Sequence, residues 1–265
     1  MDPLEYELDR WRGYSRMLGF AKPEQAEKDY LQELILLAVY SGTDSGLVFR
    51  GGTAIAKFYG SGRFSEDLDF VSTADAPKAA LERQVEAAIR ALEVRYEARH
   101  VKKSYKNMIR YDIKIKGPIY LAAGSEQAKQ TVKIDLNIWE HALLPPESRT
   151  RVAIYEDLKP YQAVVADRRE LLADKAKAML ERTRPMARDL FDAWLLVKRY
   201  GIRQDKELIE RKISEYGNRS GERFSMRDLK NRIREMRKWW DDELSRLTST
   251  VPNYGEVCKE FYASF

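Results

Sequence analysis

The segment Phe49-Arg50-Gly51-Gly52-Thr53, followed by Arg63-Phe64-Ser65-Glu66-Asp67-Leu68-Asp69-Phe70, holds the two features from which the fold follows. Val48-Phe49 reads as the end of a strand and Thr53 to Tyr59 as a short helix, which puts Gly51-Gly52 at a strand-to-helix turn. A backbone without Cβ atoms and the unpaired N–H groups of a helix start can receive a phosphate there. Leu68, Phe70 and Val71 mark the next strand. Side chains alternate across a strand, so Asp67 and Asp69 point the same way with Cα atoms ~6–7 Å apart. Two carboxylates on one face repel unless a cation lies between them, and a Mg²⁺ shared with substrate phosphates is the economical explanation. Glycine pairs and Asp-x-Asp strand edges are each common alone; joined by an Arg-Phe-Ser turn they are much rarer.

The chain has 265 residues, 44% hydrophobic and 34% charged. That composition suits one large domain or two small ones with a sizeable core. It contains no run of ~18 apolar residues, and its N-terminus lacks a charged-then-apolar leader, so a soluble cytoplasmic protein with no membrane segment is expected. Cys258 is the only cysteine, which excludes an intrachain disulfide or a cysteine metal cage. His100 and His141 are too few for a histidine zinc site. Residues 166–265 carry 23 Lys and Arg against 18 Asp and Glu, so the whole excess of +5 lies in the C-terminal part. Such an excess favours anionic partners, although it also fits a solvated helix face.

Outward from the central segment, residues 4–20 and Glu24–Tyr40 read as helices, the second opened by Pro23, with residues 41–46 as a loop. Pro77 begins a helix to about Leu92. Strands are expected around Glu93–Val101 and Asn107–Lys116, a polar loop over residues 122–130, and a short strand around Val152–Tyr155. Thr131 to Trp139 is the clearest strand, with Val132, Ile134, Leu136 and Ile138 inward and Lys133, Asp135 and Asn137 outward. From Asp167 the period changes from two to 3.6, giving helices at Asp167–Arg182, Pro185–Tyr200, Asp205–Tyr216, Ser225–Leu247 and near Tyr254–Tyr262. The fourth carries an apolar stripe from Met226 to Leu247 and a basic outer side from Arg223 to Lys238.

Four further residues bear on chemistry. Asp135 is a polar residue such as any amphipathic strand needs on its open side; beside the Asp67–Asp69 strand it would complete a three-carboxylate metal site. Lys175 lies four residues from both Leu171 and Met179, hence along the apolar stripe of its helix. Either its head reaches water from the stripe's edge, or it meets an anion such as a triphosphate across a cleft. Asp189 and Asp192, three apart, share one side of the next helix, where acidic residues also complement the helix dipole.

Gly51-Gly52-Thr53-Ala54 with Ser65-Glu66-Asp67-Leu68-Asp69-Phe70 resembles the AbiEii/AbiGii toxin family of polymerase-β-like nucleotidyltransferases. Lys133-Ile134-Asp135-Leu136 resembles the family's second motif, and the Leu171…Lys175 helix followed by Arg188-Asp189 resembles the third and fourth. These ordered motifs span roughly residues 48–200; residues 201–265 show no match, and the gap between the glycines and Asp67 is rather long. The resemblance implies a mixed-sheet α/β nucleotidyltransferase core within residues 1–165, and the change of period near Ala166 sets off a helical C-terminal domain over 166–265. The resemblance also implies transfer of a nucleoside monophosphate from an NTP, with Asp67, Asp69 and Asp135 on Mg²⁺ and Gly51, Gly52, Thr53 and Ser65 seating phosphates. Lys175 would contact nucleotide phosphate, and Asp189 would orient it or act as base toward the acceptor. RNA, tRNA or protein is the implied acceptor, and a separate antitoxin the implied partner. A non-catalytic RNA- or partner-binding module on the same scaffold is the competing expectation, motivated by the basic helix.

Overall fold

The computed structural model describes residues 2–42, 46–74, 76–217 and 223–265, so residues 43–45 of the expected loop lie outside the described residues. Two helices, α1 (Pro3–Leu18) and α2 (Pro23–Tyr40), lead into β1 (Leu47–Arg50), α3 (Gly51–Tyr59) and β2 (Asp67–Ser72). Next come α4 (Lys78–Arg95), β3 (Ala98–Ser104), β4 (Met108–Ile115), α5 (Pro118–Ala123), β5 (Gln130–His141), β6 (Glu147–Arg151) and β7 (Tyr161–Val165). Helices α6 (Arg168–Glu181), α7 (Ala187–Tyr200), α8 (Lys206–Tyr216), α9 (Met226–Met236), α10 (Trp240–Leu244) and α11 (Tyr254–Tyr262) complete the chain.

The strands form one mixed seven-stranded sheet in the order β3-β4-β5-β2-β1-β7-β6. Strand β2 runs parallel to β5, and β1 parallel to β7; the other neighbours are antiparallel. Period-two alternation sorts the two faces. Ile109, Tyr111 and Ile113 of β4 and Val132, Ile134 and Leu136 of β5 are buried on the side where α2 packs on β5 and α4 packs on α2. Asp67, Asp69, Lys133 and Asp135 stand on the other side.

The helix that follows the glycines is fixed by a buried ionic cluster. Lys57 of α3 lies 2.5 Å from Asp29 and 3.1 Å from Glu33 of α2, and Arg151 of β6 lies 2.8 Å from Glu33. The hydroxyls of Tyr155 and Tyr161 donate to Asp29 and Glu33 (2.9 and 2.8 Å). Charges out of water persist only when so compensated, and here they tie α3 to α2 and to the sheet. Buried apolar residues of both halves belong to one cluster, from Trp11 and Ile35 through Phe49 to Leu196, Ile233 and Phe261. The C-terminal segment also folds back: Phe64 N–H donates to Leu247 C=O at 2.7 Å, which holds the turn before the aspartates.

Four element expectations are corrected. Helix α4 runs to Arg95, because the Val85, Ala88, Ile89, Leu92 spacing continues its buried stripe, so β3 starts at Ala98 rather than Glu93. Gly117-Pro118 starts helix α5, with proline in the first turn and Gly124 (φ +63°) closing it; a short 3-10 turn (Glu126–Ala128) follows, in place of a plain loop. The strand expected at Val152–Tyr155 is replaced by β6 and β7 on either side; Tyr155 instead turns inward against Trp11 and Tyr30. The helix expected at Ser225–Leu247 is divided into α9, a 3-10 turn and α10, while Leu229, Ile233, Met236 and Trp240 keep their buried stripe. Among the described residues no helix is long and apolar enough to cross a membrane.

Candidate active site

Strand register sets a single row of charged residues across the sheet. Arg50 of β1 is opposite Asp69 of β2, Asp69 is opposite Asp135 of β5, and Asp135 is opposite Arg110 of β4. Neighbouring strands lie ~4.8 Å apart, so the row places two carboxylates side by side between two guanidinium groups. Asp67 is in the next row, opposite Lys133. Burial raises the Asp69 carboxyl to about 6, and the neighbouring Asp135 adds to the rise against the pull of Arg50. Burial raises Asp67 as well, opposed by Lys133 and assisted by Glu66 and Asp135.

Both guanidinium groups are engaged. Arg110 grips Asp135 with two hydrogen bonds of 2.6 Å. Arg50 pairs with Glu140 and, at 3.3 Å, with Asp174 of α6. Burial would raise Asp174, but Arg50 and Lys212 outweigh it and hold its carboxyl below the usual range. Among the described residues, no three His, Cys, Asp or Glu side chains are gathered tightly enough to hold a metal as they stand. The donor set nevertheless fits a hard divalent cation: only carboxylate oxygens, two of them in repelling neighbours.

The glycine turn lies against this row. Gly51 has φ +78°, and a Cβ there would collide with the Asp69 carboxylate. At Gly52 a Cβ would come within 2.6 Å of Arg63 Nη2 and 3.0 Å of Ser65 Oγ. No side chain caps the start of α3 at Arg50, which leaves first-turn N–H groups open toward the cleft. Thr53 does not line the cleft: its buried hydroxyl donates to the Asp67 carbonyl and so ties α3 to β2. Ser65 does line it.

Helices α6 and α7 form the opposite wall. The Lys175 ammonium sits 3.0 Å from Asp189 and 2.8 Å from Asp192, with its side chain 9% exposed. Arg182 reaches Asp189 at 2.8 Å, and Arg63 grips Asp192 through two hydrogen bonds of 2.6 and 2.5 Å. Burial would raise Asp189; Lys175 and Arg182 outweigh it and keep its carboxyl below the ordinary value. Two adjoining pockets of about 220 Å³ each share Gly52, Asp69, Asp135, Lys175, Arg182 and Asp189 as lining, which brings all four sequence motifs to one cavity.

Arg50, Arg63, Arg110, Asp174 and Arg182 complete the site and escaped the sequence reading. Arg50, Arg63, Arg110 and Asp174 work through partners far away in the chain, and Arg182 through Asp189 on the next helix. The only local signals were Arg182, two helical turns after Lys175, and Arg110 on the open side of an alternating strand.

A family model described as nucleotidyl transferase AbiEii toxin, type IV TA system, matches residues 34–262. A comparison with curated proteins gives no match. Among solved structures, the chain is similar to the nucleotidyltransferase toxin MenT4 from Mycobacterium tuberculosis H37Rv, with 19% identity, 90% of this chain and 83% of that one covered, and a TM-score of 0.59. It is also similar to a putative nucleotidyltransferase from H. pylori, with 22% identity, coverage of 89% and 91%, and a TM-score of 0.51. Likenesses at this identity establish a shared fold, and the matched family model establishes kinship: the chain belongs to the AbiEii nucleotidyltransferase toxin family of type IV toxin–antitoxin systems.

Proposed function

We propose that the chain transfers a nucleoside monophosphate from an NTP to an acceptor, RNA or tRNA before protein. The observation that carries this reading is the adjacency of Asp69 and Asp135 in register, across one cavity from Lys175. An acceptor oxygen attacks the α-phosphorus; its new P–O bond forms as the bond to the bridging oxygen breaks, and pyrophosphate leaves with that electron pair. The acceptor's proton passes to the aspartate cluster. Asp67, Asp69 and Asp135 would hold Mg²⁺, which supplies charge neutralisation at the attacking and leaving oxygens. Gly51, Gly52 and Ser65 seat the phosphates through open N–H groups and a hydroxyl, while Lys175 and Arg182 bring positive charge from the other wall.

Asp189 fits a positioning role rather than that of a base, because two cations hold it ionised below its ordinary range. Thr53 acts on β2 and not on the phosphates. An NTP-consuming enzyme of this kind works in the cytoplasm, and its family role is that of a toxin restrained by a separate antitoxin protein. The test is incubation with each α-labelled NTP, Mg²⁺ and total cellular RNA. Label in an RNA fraction supports the reading; no transfer to RNA or protein from any NTP overturns it.

One observation favours the competing reading of a non-catalytic binding module: Asp135 is held by Arg110, and no carboxylate trio is closed among the described residues. Mg²⁺-dependent NTP binding separates the two, since the enzyme requires it and the bare module does not.

A further inference from the structure

Beyond the cleft, the open face of the sheet continues as a cationic surface. From Asp69 the charged row runs outward through Asp135 and Arg110 to Lys103 on the edge strand β3. Two rows further along the strands, Lys114 of β4 stands opposite Arg99 of β3. Two like-charged pairs, Lys103 with Arg110 and Arg99 with Lys114, therefore face each other across one strand boundary, an arrangement that destabilises a sheet. A groove of about 650 Å³ lies over Lys103 and the Arg99–Lys114 pair, its basic lining being Arg99, Lys103, Lys114, Lys116 and Lys129 against the acids Glu97 and Asp112. Lys103 and Lys116 are matched by Asp112 and Glu97 at 2.5 and 2.7 Å. Arg99, Lys114 and Lys133 have no ion-pair partner among the described residues.

Lysines on an exposed edge strand have an ordinary use, which is to block pairing with another chain. That accounts for β3 alone. Lys133 stands in register between Asp67 and Asp112, but Lys114 lies on β4, an interior strand of the sheet where no edge needs protection. The unmatched charge there calls for an anion.

We infer that this face is the track along which the RNA acceptor lies, a deepening that rests on the nucleotidyl-transfer reading. Its phosphates sit on Arg99, Lys103 and Lys114, and its reacting end reaches Asp69 and Asp135 by way of Arg110. Three strand spacings separate β3 from β2, ~14 Å, the length of about four stacked nucleotides at ~3.4 Å each. Continuity with the cleft favours a strand of RNA over an acidic protein, since an acceptor must enter the cavity. Tyr105 is half exposed at the tip of the β3–β4 hairpin; its N–H donates to the carbonyl of Met108, a cleft-lining residue, and its ring offers a base a stacking surface. The basic helix α9 is less available. Arg232 donates to the Met179 carbonyl at 3.2 Å, Lys230 lies over the ring of Tyr262, and Arg237, just past the helix end, over that of Tyr254.

The test uses the full chain as wild type, as the double variant Arg99→Glu with Lys114→Glu, and as the control Arg227→Glu on α9. Label transfer from an α-labelled NTP is followed against RNA concentration and salt, with NTP binding and direct RNA binding measured alongside. The double variant should need at least ~10-fold more RNA, lose about 1.4 from its log–log salt slope, and bind NTP as before. The control should match the wild type. Unchanged RNA dependence and salt slope in the double variant overturn the track. If the wild type transfers nothing, the catalytic reading fails on its own, and direct RNA binding still decides: equal binding by wild type and double variant overturns the track. Loss of an acidic protein partner in place of RNA overturns it as well.

Discussion

Asp69→Asn should make the protein more stable and catalytically inert, and the size of the effect should depend on pH in a stated way. Asn keeps the shape that lies against Gly51 but removes the charge that repels Asp135. The Asp69 carboxyl titrates at about 6 against an ordinary 3.8, roughly two units higher. At ~1.4 kcal/mol per unit this is at most ~3 kcal/mol, and partial exposure of the side chain lowers it to about 2 kcal/mol. The sign follows from linkage. A carboxyl raised by folding contributes stability that is whole below pH 3.8 and lost as pH rises through 6. The gain from Asp69→Asn should therefore be near zero at pH 4, grow to pH 6 and stay level above it. Urea unfolding in EDTA at pH 4, 6 and 8 reads this directly. Addition of Mg²⁺ at pH 8 should close the gap by stabilising the wild type and not the variant. An equal gain at all three pH values, or a loss at pH 8, would refute the argument that the two aspartates await a cation.

Glu27, buried beneath α5 and raised to about 7 by its loss of hydration, should behave similarly in a different window. Glu27→Gln should gain stability progressively between pH 4.5 and 7, by up to ~3 kcal/mol, measured by denaturation; a gain already complete at pH 4.5 would be wrong for this cause. Gly51→Ala meets both a left-handed backbone and the Asp69 carboxylate, so nucleotide transfer should fall ~100-fold with a stability loss of about 1–2 kcal/mol. A variant with wild-type turnover would show that Asp69 need not lie against that glycine. Lys175→Ala leaves Asp189 with Arg182 and Asp192 with Arg63, so the fold should survive with a loss near ~3 kcal/mol while turnover drops ~100–1,000-fold. A lowered melting temperature with unchanged NTP affinity and turnover would make Lys175 structural.

The parts legible in the sequence were those with a local cause. Strand β5 announced itself because Val132, Ile134 and Leu136 alternate with Lys133, Asp135 and Asn137, and that alternation sets which face Asp135 takes. Lys175 stood out as a cation within an apolar stripe, and the structure matches it with two buried aspartates. Strand β6, Glu147-Ser148-Arg149-Thr150-Arg151, has no apolar side chain to reveal it; it is held by its pairing with β7. Helix α5 hid behind Gly117-Pro118, a pair that reads equally as a break or a helix start. The roles of Arg50, Arg63 and Arg110 leave no local mark in the sequence, because their carboxylate partners lie 25 to 129 positions away. Thr53, which follows the glycines as a phosphate seat would, has its side chain drawn inward by the Asp67 carbonyl instead.

The claim on which the account rests is that Asp67, Asp69 and Asp135 together hold the cation through which an NTP is used. Transfer from an α-labelled NTP, followed for wild type and Asp135→Asn with Mg²⁺ and with EDTA, tests it most directly. Transfer by the wild type only with Mg²⁺, and at least ~100-fold slower transfer by a folded Asp135→Asn, is the result expected. Wild-type transfer undiminished in EDTA, or Asp135→Asn turning over at the wild-type rate, would contradict it.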